Sequence, residues 1–287
     1  MSTVLGSQGS SSPSSLTAAW PARAAILASV FALSGCKLID RLRDKVSDLT
    51  NRVAAAGSVL GVEPPENENI SALLENTQFS AGAQASIFFA DAASGGGFAE
   101  APLSDEEVTY DSESNDGLPM PLVSPGQYAI TEMEGLVFTP GETATLRALD
   151  DDDQRELSVR IPFPAEVNIP DSLSPNTSLD LDVSDQDFDG LIVVVINTAD
   201  GTSTFSTLPT SPTDLYNITH GDGLVTSVEV PGAAFPSEGY FVLGVAGVYG
   251  ADEASFEGVN TAISTLIAGN FTFHPICTYT NQALCVL

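Results

Sequence analysis

Short runs with apolar side chains at alternate positions, broken by Gly- and Pro-rich turns, dominate this chain from residue 83 onward. A period of two sends successive side chains to opposite faces of a strand, so each run can bury one face against a core. The runs are 85–89, 127–131, 143–149 and 157–163, then 179–183, 191–197, 225–230, 240–248 and 270–273. Between them stand turn formers such as 94–97, Ser124-Pro125-Gly126 and Thr139-Pro140-Gly141. The pair 143–149 and 157–163 reads as a hairpin: Leu157, Val159 and Ile161 alternate with Ser158 and Arg160, and Asp150 to Asp153 crowd the tip as a solvated turn. Pro162, Pro164 and Pro170 mark an extended connector between the two series. Residues 251–268 fit a short helix or a long loop, with Val259, Ala262, Ile263 and Leu266 at helical spacing.

Strands this short, without long helical patterns among them, predict a mainly β fold of sandwich type. Pro140-Gly141 leading into 143–149, and Gly239-Tyr240 leading into 241–248, resemble late strands of immunoglobulin- or fibronectin-type domains. The resemblance covers about residues 80–275 and implies two tandem immunoglobulin-like β-sandwich domains, 81–170 and 171–287.

The N-terminal region has a different character. The apolar run 24–32 follows Arg23 and is too short for a membrane-spanning helix, which needs ~20 apolar residues. It has the length of a signal-peptide core and ends in Leu33-Ser34-Gly35-Cys36. That tetrapeptide resembles the bacterial lipobox, in which the signal is cut before the cysteine and the thiol is lipidated. The resemblance implies that residues 1–35 are a lipoprotein signal peptide and that Cys36 is acylated. It also implies a chain held in the cell envelope, at the outer membrane or the cell surface, with the membrane as partner through the lipid. The remaining 252 residues contain no Trp, because the only one is Trp20.

After Cys36, residues Ile39, Leu42, Val46, Leu49, Val53, Ala56 and Leu60 recur at spacings of three and four. This heptad stripe predicts a stalk helix over 36–62, with weak self-association along its seam. Gly61 and Pro64-Pro65 would end it, 63–80 would be a linker, and the apolar patch 70–74 would tuck against the first domain.

Charge is distributed unevenly. Residues 37–53 carry a net of +2, whereas residues 54–287 hold only Arg147, Arg155 and Arg160 against 35 carboxylates, a net of −32. Such a surface repels nucleic acid, whose binding depends on Lys and Arg displacing counterions from phosphate. It also repels anionic lipid head groups, so an anchored body would be held away from the membrane. A protein or glycan ligand remains the partner class compatible with this chemistry.

Few residues carry chemistry. Asp185-Gln186-Asp187-Phe188-Asp189-Gly190 matches the start of a Ca²⁺-binding loop, in which alternate carboxylates wrap the ion and Gly allows the turn. The metal candidates are therefore Asp185, Asp187 and Asp189, with Asp182 or Asp200 as further ligands. The twelfth position is Ile196 instead of the bidentate Glu, and the residues after the Gly read as strand. No other cofactor is implied. Cys277 and Cys285, eight positions apart, predict a disulfide closing a short loop in an oxidising compartment. His220 and His274 are the only histidines, and His220 beside Asp222 reads as a solvated loop. With no H-E-x-x-H, P-loop, nucleophile elbow or dinucleotide fingerprint, the expected role is non-enzymatic, structural or adhesive.

Overall fold

Residues Val53–Val62, expected to close a stalk helix, form the central strand of a large sheet. A computed structural model of the chain describes residues 53–63, 70–71, 74, 79, 82–91, 101–150, 153–209, 211–220 and 224–285. Cys36 and the stripe residues Ile39 to Leu49 lie outside them. Val53, Ala56 and Leu60 do not share a helical seam. In this strand, β1, Ala54, Ala56 and Leu60 enter one core while Ala55 and Val59 enter another. A strand buried on both faces loses its polar alternation, and the remaining apolar run is easily mistaken for a helix.

β1 pairs in parallel with the last strand, β15 (Thr265–Cys277), and antiparallel with β2 (Gln84–Asp91). Beyond β2 lie β6 (Gln127–Thr131) and the edge strand β5 (Leu122–Ser124). On the other side β15 pairs with β13 (Tyr240–Gly250), then β10 (Gly190–Asn197) and β11 (Ser203–Ser206) complete an eight-stranded sheet. The expected boundary at residues 170/171 therefore does not divide the sheets. Strands from both sides of it share one hydrogen-bonded layer, joined through β15, β1 and β2. Two separate tandem sandwiches would need that ladder to be broken.

Two smaller sheets lie over one face of this layer. A five-stranded sheet runs β14 (Phe256–Glu257), β8 (Asp153–Arg160), β7 (Thr143–Asp150), β3 (Glu107–Ser112), β4 (Asn115–Pro119). Its Tyr110, Leu146 and Leu157 pack with Val59, Ile87 and Phe89 of the large sheet. β9 (Leu179–Asp182) and β12 (Ser227–Val230) form a two-stranded ribbon over the other half. There Leu181, Val230 and Phe235 pack with Val193, Val195, Leu243 and Val245. The result is a layered β-sandwich arrangement, in accord with the mainly β expectation. The 143–149 hairpin is present as β7–β8, in the register Leu146↔Leu157.

The opposite face of the large sheet is covered by Ile70, Leu74, Phe79 and helix α1 (Pro212–His220). The Ser211 hydroxyl caps α1 by accepting the Asp214 N–H at 3.0 Å, and Pro212 occupies the first turn, where its missing N–H costs nothing. Leu215 faces the sheet and is fully buried. His220, expected in a loop, is the last residue of this helix; Asp222 lies outside the described residues. Residues 251–268 form a short 3₁₀ turn, β14 and the first part of β15. Leu266 is therefore a strand residue: it pairs with Gly57 of β1, and its carbonyl accepts the Ala251 N–H at 2.8 Å. No helix among the described residues is long and apolar enough to cross a membrane.

Candidate binding site

The aspartate loop joins β9 to β10, and its geometry depends on its one apolar member. Phe188 turns inward, with its ring 5.7 Å from that of Tyr249 and against Gly247, where a Cβ would collide with it at 2.7 Å. The neighbouring residues are thereby committed to the scaffold. The Asp189 carboxylate accepts the Gly250 N–H at 2.9 Å and its own N–H bonds to the Val248 carbonyl. Gln186 pairs with the backbone of Glu166 through both ends of its amide. Asp182 accepts the Ser184 N–H at 2.8 Å, which holds its carboxyl below the usual range. Asp200 is held low in the same way by Thr202. Among the described residues, no three Asp, Glu, His or Cys side chains converge as a metal site would require. Asp185, Asp187 and Asp189 are thus sequence neighbours that the loop does not gather.

These aspartates border a seam. Arg160, at the end of β8, lies 5.6 Å from the centre of the Tyr249 ring, a cation–π contact between the five-stranded sheet and β13. Burial raises the Tyr249 hydroxyl pKa, with the Asp187 charge adding to it and Arg160 opposing it. The loop's acids therefore sit in the field of one of the chain's few arginines.

Cys277 and Cys285 are bonded to each other, with Cα atoms 5.6 Å apart. Cys277 is buried at the end of β15, where its N–H donates to the Asp171 carbonyl and its carbonyl accepts from Leu173. The bridge thus ties the chain's end to the connector beneath the ribbon.

A cavity of about 440 Å³ opens at the far end of β1. Its apolar wall includes Val62, Leu136 and Phe138, while Glu63 and Glu132 bring carboxylates and Asn270 a carboxamide. Local structure explains each placement. Gly61 pairs with Asn270 across the parallel ladder, and its missing Cβ leaves room for the Phe138 ring, which a Cβ would meet at 2.2 Å. Glu132 starts a 3₁₀ turn whose Thr131–Glu134 capping box holds it in place, and its carboxylate accepts the Ala83 N–H at 3.3 Å. Glu63 is fixed by its N–H bond to the Phe271 carbonyl.

Two buried asparagines near this cavity differ sharply. Asn115 exchanges both bonds with the backbone of Val137, donating at 2.7 Å and accepting at 2.9 Å, and so fixes the wall segment. Asn270 is 1% exposed, and neither its amide nitrogen nor its oxygen has a hydrogen-bond partner. An unsatisfied buried polar group costs about 1–3 kcal/mol, so this residue weakens the strand it occupies. The sequence pattern places Asn270 at the start of a strand and assigns it no role. Its signal there is a lone amide inside the apolar run 265–273.

Comparisons with known proteins add little to this geometry. No family model matches the chain, and no curated protein does either. Solved structures that resemble it include the FN1–FN3 domains of chicken CNTN1, at TM-score 0.22 and 9% identity over 68% of this chain and 62% of that one. The chicken interferon gamma receptor alpha chain matches at 0.23 and 9% identity, over 77% of this chain and 96% of its own length. A chimeric titin Z1Z2 carrying a peptide from decorin matches at 0.23 and 11%, over 81% and 100%. The layers are defined by the hydrogen bonding and packing of the sheets themselves.

Proposed function

We propose that the chain is a lipid-anchored envelope protein that holds an acidic β-structured body away from a membrane, in a structural or adhesive role. The observation that carries this reading is the short apolar run ending in Leu33-Ser34-Gly35-Cys36, with a change of net charge from +2 over 37–53 to −32 beyond. Several acyl chains on Cys36 would give firm attachment without a transmembrane helix. A surface of one charge sign beyond the anchor would be repelled by anionic head groups and stay in solvent. The immunoglobulin-like character of each half belongs to the same proposal, since sheet-on-sheet layers offer rigid support for exposed loops.

The anchor is tested by replacing Cys36 with Ala and following membrane partition and incorporation of labelled fatty acid. The expected result is a soluble, unlabelled variant beside a labelled, membrane-bound wild type. A variant that stays bound, with no label in the wild type, rejects the anchor. A calcium-dependent role would have the hexapeptide 185–190 in its favour and the dispersal of its carboxylates against it. Ca²⁺ at about 100 times its Kd would add ~2.7 kcal/mol to stability. We expect no change in melting temperature between millimolar calcium and chelator.

A further inference from the structure

We propose that β1 is an exchangeable strand, which completes the sheet of a second copy of this chain while that copy's β1 completes its own. Both walls of the slot that β1 fills lie after it in the chain: β2 pairs with it from Val53 to Leu60, and β15 from Ala56 to Val62. The chain beyond residue 62 therefore carries the whole acceptor for a strand that the N-terminal side supplies. β1 and β2 are antiparallel neighbours, for which a connection of about two to five residues is enough. Residues 63–83 separate them instead. The chain is held again at Ile70, 2% exposed in the core on the opposite face. Residues 63–69, with Pro64-Pro65 among them, reach about 25 Å when extended. A terminal strand on a connection longer than its turn requires lets identical copies trade an element at little cost, since each bond lost within a copy is regained between copies.

The chemistry of the strand favours this route over face-to-face docking and selects the partner. Bodies with a net charge of −32 each repel one another at any shared surface, whereas β1 has no charged residue. Its slot is tight at two registers. A Cβ on Gly57 would meet the Leu266 side chain and the Ser86 carbonyl at 3.0 Å, and one on Gly61 would meet the Phe138 ring at 2.2 Å. A strand that fits needs glycine at both places, as a second copy of this one has. A vacated slot would leave the facing backbone groups of β2 and β15 unpaired, so the exchange is reciprocal and closes a pair. This goes beyond the anchoring role and does not depend on it; lipid on Cys36 would only raise the local concentration of copies.

Ser58 of β1 and Ser86 of β2 stand opposite each other, with their hydroxyls 3.2 Å apart. Full-length Ser58→Cys and Ser86→Cys chains are co-produced, left to oxidise as they fold, purified in detergent and mapped by mass spectrometry for a disulfide between positions 58 and 86. Neither chain can form that bond alone. The expected result is the 58–86 bond in a species of twice the chain's mass. Co-production lets copies exchange during folding, so slow opening of a finished sheet cannot hide the exchange. One chain carrying both substitutions reports whether the two thiols meet at all. A bond within single copies of that chain, with none between the singly substituted ones, would mean that β1 stays with its own body and would overturn the proposal. Leu60→Cys with Gln84→Cys, the last pair of the same ladder, repeats the measurement where the first pair does not fold. No bond at either pair in any combination would remove the ladder from which the proposal is drawn and would also overturn it. Failure of the anchor would appear in membrane partition and leave the cross-link unchanged.

Discussion

The two halves of the layered face solve the same burial problem with different means. Over β1, β2 and β6 lies a five-stranded sheet, whose strands hold all three arginines found after residue 54. Arg147 bridges Asp111 at 3.0 Å and Glu156 at 2.9 Å, while Arg155 is buried against Glu106. Over β10 and β13 lies only a two-stranded ribbon, and no Lys or Arg occurs in that half of the chain. Its cover is completed by the connector and by Phe235, whose ring meets that of Phe241 edge-on at 5.4 Å. The disulfide then fixes the end of β15 there. A broad cover can rely on sheet area and paired charge; a narrow one relies on aromatic loops and a covalent tie.

The sharpest test of this contrast is Arg155→Met. Removing one partner of a buried ion pair withdraws the guanidinium that faces the buried Glu106 carboxylate, and such losses cost about 3–5 kcal/mol. Denaturant unfolding of the full chain should register a change of that size. A loss below about 1 kcal/mol would place Arg155 with the exposed pairs and remove the charge half of the comparison. On the other side, Cys277→Ser with Cys285→Ser should cost roughly 2–3 kcal/mol in the chain-entropy model for so short a loop. Hydrogen exchange should locate that loss at the end of β15 and in residues 171–173 and not in the five-stranded sheet. Uniform loosening would mean that the halves share one cooperative unit through β1.

Next in size is Arg147→Met. Its side chain is 41% exposed, so both of its ion pairs are screened, and a loss of about 0–1 kcal/mol is expected. The Glu156 carboxylate raises the Arg147 pKa, but at this exposure the shift carries little stability. Added salt should reduce even that loss, whereas it should leave the Arg155→Met deficit almost unchanged. Equal salt responses would erase the distinction between the buried and the exposed arginine.

Much of the strand pattern is legible in the sequence, and the reason is visible in which strands the pattern reveals. β6, β7, β10 and β13 lie close to the runs read from alternation and β-branched content. β3 and β4 escape because Glu107, Asp111 and Asn115 dilute their patterns. β1 escapes for the opposite reason: both of its faces are buried, and Ala-Ala-Ala-Gly-Ser has no alternation to read. The pairing of first and last strands is not written locally at all. β1 and β15 meet more than 200 residues apart in sequence, and that single ladder turns two expected domains into one sheet. Asn270 is visible in the sequence as a residue but not as an unpartnered amide, which is defined by what surrounds it.

The smallest effect is expected from His274, in the stretch of β15 that serves the ribbon half. Burial lowers its pKa below the ordinary value of about 6.5, and its Nε2 lies 3.0 Å from the Thr272 hydroxyl. The fold therefore prefers the neutral ring. Above about pH 6.5 the ring is neutral both folded and unfolded, and the full stability is present. As pH falls below that value the unfolded chain takes up the proton first, and stability is lost until the folded-state pKa is passed. His274→Gln should flatten this slope between about pH 5 and 7, a window above the carboxylate titrations that affect the whole acidic body. The loss should be confined to the ribbon half, because Asn270 and the residues before it on the same strand carry no group that titrates there. An unchanged slope in the variant would show that the half-buried ring is hydrated well enough to protonate in place. The ribbon half would then owe its pH dependence to its carboxylates alone.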